Sequence, residues 1–320
     1  MTPFGITATG ETVHRLTLTA GDLTVALLTW GAVLQSVRLD GIGHDLTLGS
    51  ENLADYEGAM RHHGSLIGPV VNRFTGATAP IAGEVHRFEA NQDNRITLHS
   101  GSAGTHLKVW RVEDHGPAHA TLALDLPHGE GGFPGNRRVN ARFEVTIPAT
   151  LTMTVRATTD RPTLLNFANH AYWNLDGSAF WSGHRLWIAA DRYLPTTPDF
   201  TPTGEIVKVA GTAMDFRQER EIAVGAPLFD NCFCLGDRRG PLRDALRLTG
   251  QNGLTMTVAT TEPGIQVYDG RDARRPGKGA HEGLAIEAQG WPDAPNHEGF
   301  PSIEVPTGAP YEQTTRWTFT

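Results

Sequence analysis

Val139-Asn-Ala-Arg-Phe-Glu-Val-Thr-Ile147 and Leu151-Thr-Met-Thr-Val-Arg-Ala157 are separated only by Pro148, Ala149 and Thr150. In both runs apolar and polar residues alternate one by one, which places every second side chain on the same face of an extended strand. The same short pattern recurs at Thr12–Thr19, Leu23–Trp30, Val33–Leu39, Thr121–Leu126 and His184–Ala189. It returns at Ala245–Leu248, Leu254–Thr260, Ile265–Tyr268, Leu284–Glu287 and Arg316–Thr320. Frequent short strands with Gly, Pro, Asn and Asp between them predict an all-β sandwich or barrel, and the 36 glycines and 20 prolines fit its turns. No long helical period is present, although Glu51–Met60 has room for a helical turn or two. No linker or repeat divides the chain, so residues 1–320 are expected to form one large antiparallel β domain.

Composition narrows the function. Hydrophobic residues make up 39% and charged residues 19%, the balance of a soluble globular protein. A net charge of −8 without a dense basic run argues against nucleic acid or an anionic membrane as the main partner. No run approaches the roughly 18 apolar residues of a membrane span. The start, Met-Thr-Pro-Phe-Gly-Ile-Thr, has no charged and apolar leader pattern. Cys232 and Cys234 suit neither a zinc ribbon nor a disulfide framework, and as reduced thiols on one strand face they fit a cytoplasmic protein.

Two stretches carry the chemistry. Gly283-Leu-Ala-Ile-Glu-Ala-Gln-Gly-Trp-Pro-Asp-Ala-Pro-Asn296 sends Leu284 and Ile286 to one face and Ala285, Glu287 and Gln289 to the other. A small alanine beside Glu287 leaves room for a ligand, and Pro292 and Pro295 stiffen the loop that follows. Leu164-Leu-Asn-Phe-Ala-Asn-His-Ala-Tyr-Trp-Asn-Leu-Asp-Gly177 sets an apolar face (Leu165, Phe167, Ala171, Trp173, Leu175) against Asn166, Ala168, His170, Tyr172 and Asn174. Amides beside a histidine suit sugar hydroxyls, which need both donors and acceptors. Arg73 after Asn72, His99 at a strand end, and Asp230 among apolar residues are weaker signals, each with an ordinary structural reading when taken singly.

Taken together, Asn72-Arg73, Leu98-His99-Ser-Gly, Asn169-His170-Ala-Tyr-Trp-Asn-Leu and Phe229-Asp230 resemble the aldose 1-epimerase (galactose mutarotase) family. Thr261-Glu-Pro-Gly-Ile-Gln-Val-Tyr268 and Glu287-Ala-Gln-Gly-Trp-Pro-Asp-Ala-Pro-Asn296 belong to the same set, and the motifs follow the family's order along most of the chain. The resemblance implies a large antiparallel β-sandwich and interconversion of α and β anomers of a free monosaccharide. It implies Glu287 as catalytic base, His170 as catalytic acid, and Arg73, His99, Asp230, Asn72 and Gln266 as substrate-binding groups. Pro69, Ser100 and Asn231-Cys232 depart from the family's usual residues, which puts sugar preference rather than activity in question.

Opening a hemiacetal requires a base at the C1 hydroxyl and an acid at the ring oxygen, each within hydrogen-bond reach. Reference pKa values of about 4.3 for Glu and about 6.5 for His predict an ionised Glu287 and a His170 that keeps useful protonation. No cofactor is expected, because no electron or phosphoryl group moves. No metal is expected either: His62 and His63 are adjacent, and Gly116 and Pro117 interrupt the His115/His119 offset. One rival is a hexose-6-phosphate 1-epimerase using the basic cluster Arg271, Arg274, Arg275 and Lys278. Others are a non-catalytic sugar-binding sandwich and a glycoside hydrolase pairing Asp230 with Glu287. The assembly is expected to be a monomer or homodimer.

Overall fold

The computed structural model describes residues 1–320 and is built almost entirely of antiparallel strands. Its largest sheet has nine strands, in the order Arg111–His115, His119–Leu126, Arg137–Thr146, Thr150–Thr159, Tyr311–Phe319, Thr255–Thr260, Arg243–Thr249, Arg185–Ile188 and Arg220–Glu221. The alternation read in the sequence sets its faces. Val139, Ala141, Phe143 and Val145 lie opposite Ala157, Val155, Met153 and Leu151, and all eight enter one core cluster of 52 buried residues. The polar residues between them point away from that core, because a one-residue slip would invert every side chain.

A six-stranded sheet carries the other half of that cluster: Tyr172–Trp173, Leu284–Gln289, Gly264–Tyr268, Asp230–Cys234, Arg192–Tyr193 and Val207–Lys208. Leu284, Ile286, Ile265, Val267 and Phe233 face the core. A four-stranded meander, Thr2–Ile6, Thr12–Ala20, Leu23–Leu28 and Val33–Leu39, packs a third apolar layer into it. The one α-helical turn, Leu53–Glu57, lies within the expected Glu51–Met60 segment, and the Asn52 side chain caps it by accepting from the Ala54 amide at 3.3 Å.

Most boundaries match the sequence reading within a few residues. The final strand begins at Tyr311, well before Arg316, and it bridges Thr150–Thr159 to Thr255–Thr260 at the middle of the large sheet. The 164–177 stretch departs further. It breaks into the two-residue strands Thr163–Leu164, Ala168–Asn169 and Tyr172–Trp173, each paired in a different sheet. Its apolar set is nevertheless read correctly: Leu165, Phe167, Ala171, Trp173 and Leu175 all enter the main core. No helix is long and apolar enough to cross a membrane.

Candidate active site

The six-stranded sheet turns its non-core face outward to form the floor of a cleft. Strand register lines up two rows across it. Tyr172, Ala285, Tyr268 and Asp230 form one row, and Glu287, Gln266 and Cys232 form the next. Gln266 reaches diagonally between them and donates from Nε2 to Asp230 Oδ1 at 2.7 Å. Cys232 and Cys234 share this face, as their spacing requires, and both are buried free thiols. The floor is tied down by Asn166, whose side chain accepts from the Gly290 amide (2.7 Å) and donates to the Gly290 carbonyl (3.2 Å).

The walls come from two short ribbons. Leu66–Ile67 pairs with Ala168–Asn169 and delivers His170 over Glu287. Arg73–Phe74 pairs with Thr97–Leu98 and delivers Arg73 and His99. The loop after the floor strand is bolted to this second ribbon by the buried Asp293, which accepts from the Thr75 amide (3.1 Å) and hydroxyl (2.6 Å). Ser100, one of the unusual residues in the sequence, is a buried clasp: its Oγ accepts from the Val70 amide at 2.9 Å and donates to the Val70 carbonyl at 2.8 Å.

The cavity so formed holds about 340 Å³ and is lined by six of the seven residues singled out in the sequence; Gln266 does not line it and reaches it only through its hydrogen bond to Asp230. Arg73 sits 3.5 Å from Asp230, and its Nε donates to Gln92 at 3.1 Å. The Asn72 amide donates to His99 Nδ1 at 3.1 Å, so the remaining His99 nitrogen carries its hydrogen and is a donor. Asn72 also accepts from the Arg73 amide at 2.9 Å, fixing the turn. Asn72, His99 and the lining residue Phe200 all have positive φ, at 68°, 53° and 62°. Backbone strain of this kind is held only where surrounding contacts over-determine it.

His170 Nε2 and Glu287 Oε1 are 3.5 Å apart, and both side chains are almost wholly buried. Here the structure corrects the protonation expected from reference values. Desolvation, with Asp230 adding like charge, pushes the Glu287 carboxyl up to about 8. Desolvation also lowers the His170 imidazole to about 4. The pair therefore holds one proton at neutral pH, as anticipated, but in the empty cleft that proton rests on the carboxyl. Glu287 Oε2, His170 Nδ1 and Gln266 Oε1 are buried without any protein partner. Other buried polar atoms of the chain are also unpartnered, but those of Glu287 and His170 belong to residues that line the cavity, where a ligand hydroxyl can satisfy them.

Sequence reasoning missed several lining residues. The sequence offers His62 only as one of an adjacent pair unsuited to a metal, yet its ring stacks 5.7 Å from His170 and stands edge-on to His99 at 4.7 Å. No grouping of three His, Cys, Asp or Glu side chains has metal-holding geometry. Arg61, Phe200, Arg271 and Tyr268, the last residue of an interior strand, also line the cleft; the first three, being half-buried or exposed loop residues, leave no periodic trace. Two members of the basic cluster Arg271, Arg274, Arg275 and Lys278 are already engaged. Arg271 is clamped on both carboxylate oxygens of Asp269 (2.8 and 2.9 Å) and on the Phe229 carbonyl, and Arg275 is paired with Glu282. Half of the charge assigned to a phosphate is thereby already neutralised.

The chain matches the aldose 1-epimerase family model over residues 14–318. It is 31% identical to galactose mutarotase of Homo sapiens, over 97% of this chain and 95% of that protein. It is 30% identical to aldose 1-epimerase of Escherichia coli K12, over 97% and 96%. Among solved structures, an aldose epimerase homologue from C. elegans superposes with a TM-score of 0.88 at 28% identity, covering 96% of this chain and 99% of that one. A galactose 1-epimerase from Lactobacillus acidophilus gives 0.87 at 26% identity, covering 99% and 97%.

Proposed function

This chain belongs to the aldose 1-epimerase family, and on that premise we propose that Glu287 and His170 are the pair that opens and recloses the sugar ring. The enzyme is an isomerase that interconverts the α and β anomers of aldoses. The observation that carries the residue assignment is the buried contact of 3.5 Å between the two groups, in a cavity edged by unpartnered polar atoms.

In the proposed reaction Glu287 takes the proton of the C1 hydroxyl while His170 gives one to the ring oxygen. The C1–O5 bond breaks, C1 becomes an aldehyde carbon, and rotation about C1–C2 presents its other face. O5 then attacks that face, returning its proton to His170, and Glu287 returns a proton to O1. One proton leaves the pair and one enters in each direction, so the pair begins and ends singly protonated. Entry of hydroxyls into the cleft, together with Arg73, favours moving the resting proton from Glu287 to His170, because both stabilise the ionised carboxylate. His99 donates to a substrate hydroxyl, and Arg73, Asp230 and Asn72 hold others, with Gln266 acting through its hydrogen bond to Asp230. Each proton transfer supplies about 10²–10⁴-fold of the rate.

A free monosaccharide fits this reading, since Arg271 and Arg275 are already committed to carboxylates. A monomer or homodimer and a cytoplasmic setting belong to the same proposal, and two unpaired thiols support the latter. The test is polarimetry of freshly dissolved α-D-glucose and α-D-galactose. Accelerated approach to equilibrium by the wild type, lost in Glu287→Gln and in His170→Asn, is expected; full activity in Glu287→Gln would refute the assignment.

A further inference from the structure

His62 stands on a turn, residues 61–64, that is hydrogen-bonded directly to the segment carrying the proposed acid. The Gly64 amide donates to the His170 carbonyl (3.0 Å), and the His170 amide donates to the Ser65 carbonyl (2.9 Å). Asn169 Nδ2 adds a bond to the Gly64 carbonyl at 2.7 Å. Gly64 has a φ of 69°, and a Cβ there would lie 2.2 Å from the Leu34 carbonyl oxygen, so only glycine lets the turn sit this close to the neighbouring backbone. The backbone thus holds the His62 ring against His170, and His106 backs it with ring centroids 5.2 Å apart.

Packing alone does not account for an imidazole here. His62 is half-buried and lines the cavity. Its side chain makes no hydrogen bond to the protein, and neither ring nitrogen is sealed from solvent as His106 Nδ1 and His170 Nδ1 are. A free hydrogen-bonding group is therefore held open on the site. Burial, with His106 and His170 adding like charge, keeps this imidazole well below its ordinary value. At neutral pH it accordingly offers one donor and one acceptor, which is what a sugar hydroxyl matches.

Its place on the substrate follows from the reaction. The ring oxygen that His170 protonates is bonded only to C1 and C5, and Glu287 takes the C1 side. Glu287 feels the charges of Asp230 and Arg73, whereas His62 feels those of His106, His170, Arg61 and His63. The two sets share no member, so His62 approaches His170 from the side away from Glu287, where C5 and its substituent lie. We propose that His62 is a specificity-determining residue that hydrogen-bonds the C6 hydroxyl of a hexopyranose, making aldohexoses the preferred substrate class of this site.

The inference rests on the ring-opening reading of Glu287 and His170, and its test separates the two. Mutarotation of galactose, 6-deoxygalactose and 2-deoxygalactose is followed by polarimetry for the wild type, His62→Phe, His62→Ala and His62→Gln, with melting temperatures alongside. Wild type is expected to favour galactose over 6-deoxygalactose in kcat/KM by about threefold to tenfold, the worth of one neutral hydrogen bond. His62→Phe keeps a ring against His170 without a polar atom, and should bring that ratio to about one, chiefly through a raised KM for galactose. His62→Ala should do the same if the Phe variant does not fold. His62→Gln restores a donor and an acceptor and should keep part of the preference. The ratio of galactose to 2-deoxygalactose should not differ among these proteins. The proposal is overturned if the wild type does not distinguish galactose from 6-deoxygalactose, or if His62→Phe keeps the wild-type ratio. Equal losses on all the sugars, or failure of both the Phe and Ala variants to fold, would make the ring structural and overturn it too. A shift in the 2-deoxygalactose ratio instead would put His62 on the C1 side and overturn the C6 assignment. If the wild type speeds no sugar, the ring-opening reading itself fails.

Discussion

Lowering the pH should unfold this protein unusually steeply, because the site is backed by imidazoles that cannot take protons while buried. His63, His99, His106 and His170 are 2%, 7%, 2% and 4% exposed. Burial, reinforced for all but His170 by neighbouring imidazoles and arginines, drives His63 and His106 to about 3, His170 to about 4, and His99 well below its ordinary value. In the unfolded chain each titrates near roughly 6.5. Below that pH the unfolded state therefore binds protons that the folded state refuses, and stability present above about pH 6.5 is lost as pH falls toward 4. Glu287 works in the opposite sense: with its carboxyl raised to about 8, the folded state holds a proton that the unfolded state has released. These four imidazoles less the Glu287 carboxyl account for about three protons taken up on unfolding between pH 6 and 5; His62 and His184, lowered chiefly by burial, add to that uptake, while the raised Asp230 and Glu262 carboxyls act against it. At about 1.4 kcal/mol per proton and pH unit, stability should fall by about 4 kcal/mol for each unit of pH. Against a typical total of about 5–15 kcal/mol, that places acid unfolding well above pH 3. The assay is urea denaturation followed by tryptophan fluorescence at pH 7, 6, 5.5 and 5. His106→Phe, which removes a buried imidazole outside the cleft lining, should reduce the slope by about 1.4 kcal/mol per unit. A wild-type slope below about 1.4 kcal/mol per unit, one proton's worth, would refute the reasoning.

Three further outcomes follow from the site. Glu287→Gln, which copies the shape of the neutral acid, should lower kcat by about 10²–10⁴-fold, as polarimetry would record; thermal melts at pH 7 should show the fold intact. The pH profile of kcat/KM for a single aldose should be level through neutrality and fall about tenfold per unit above about pH 8, as Glu287 loses the proton that the pair needs. On the acid side activity should disappear together with the fold, before His170 reaches its own value of about 4. Asp230→Asn removes the like charge that helps raise Glu287, and leaves Arg73 to favour its ionised form. Its basic limb should accordingly move to lower pH, with a raised KM from the lost hydroxyl ligand; a limb that stays in place would show that Asp230 does not act on Glu287.

What the sequence could and could not disclose follows from what each signal measures. Period-two alternation reports which side of a sheet meets water, so Val139–Ile147 and Leu151–Ala157 were legible at once, each with one face in the core. The method loses resolution where both faces are buried. Asp230–Cys234 and Leu284–Gln289 are buried at every position, and the 164–177 stretch is almost entirely so while changing sheets twice. Glu287 and Gln266 could be named one by one, but nothing local revealed that register sets them side by side, since pairing depends on the whole sheet. His62 and Phe200 escaped because half-buried loop residues follow no period. The protonation states were misassigned for a related reason: reference pKa values describe groups in water, and Glu287 and His170 have been taken out of it together. Their one shared proton is the property that survives both readings, since burial decides which group holds it and leaves the count alone. A base and an acid must be regenerated at the end of every ring closure, and a buried pair that retains a single proton across neutral pH meets that condition without exchanging protons with solvent.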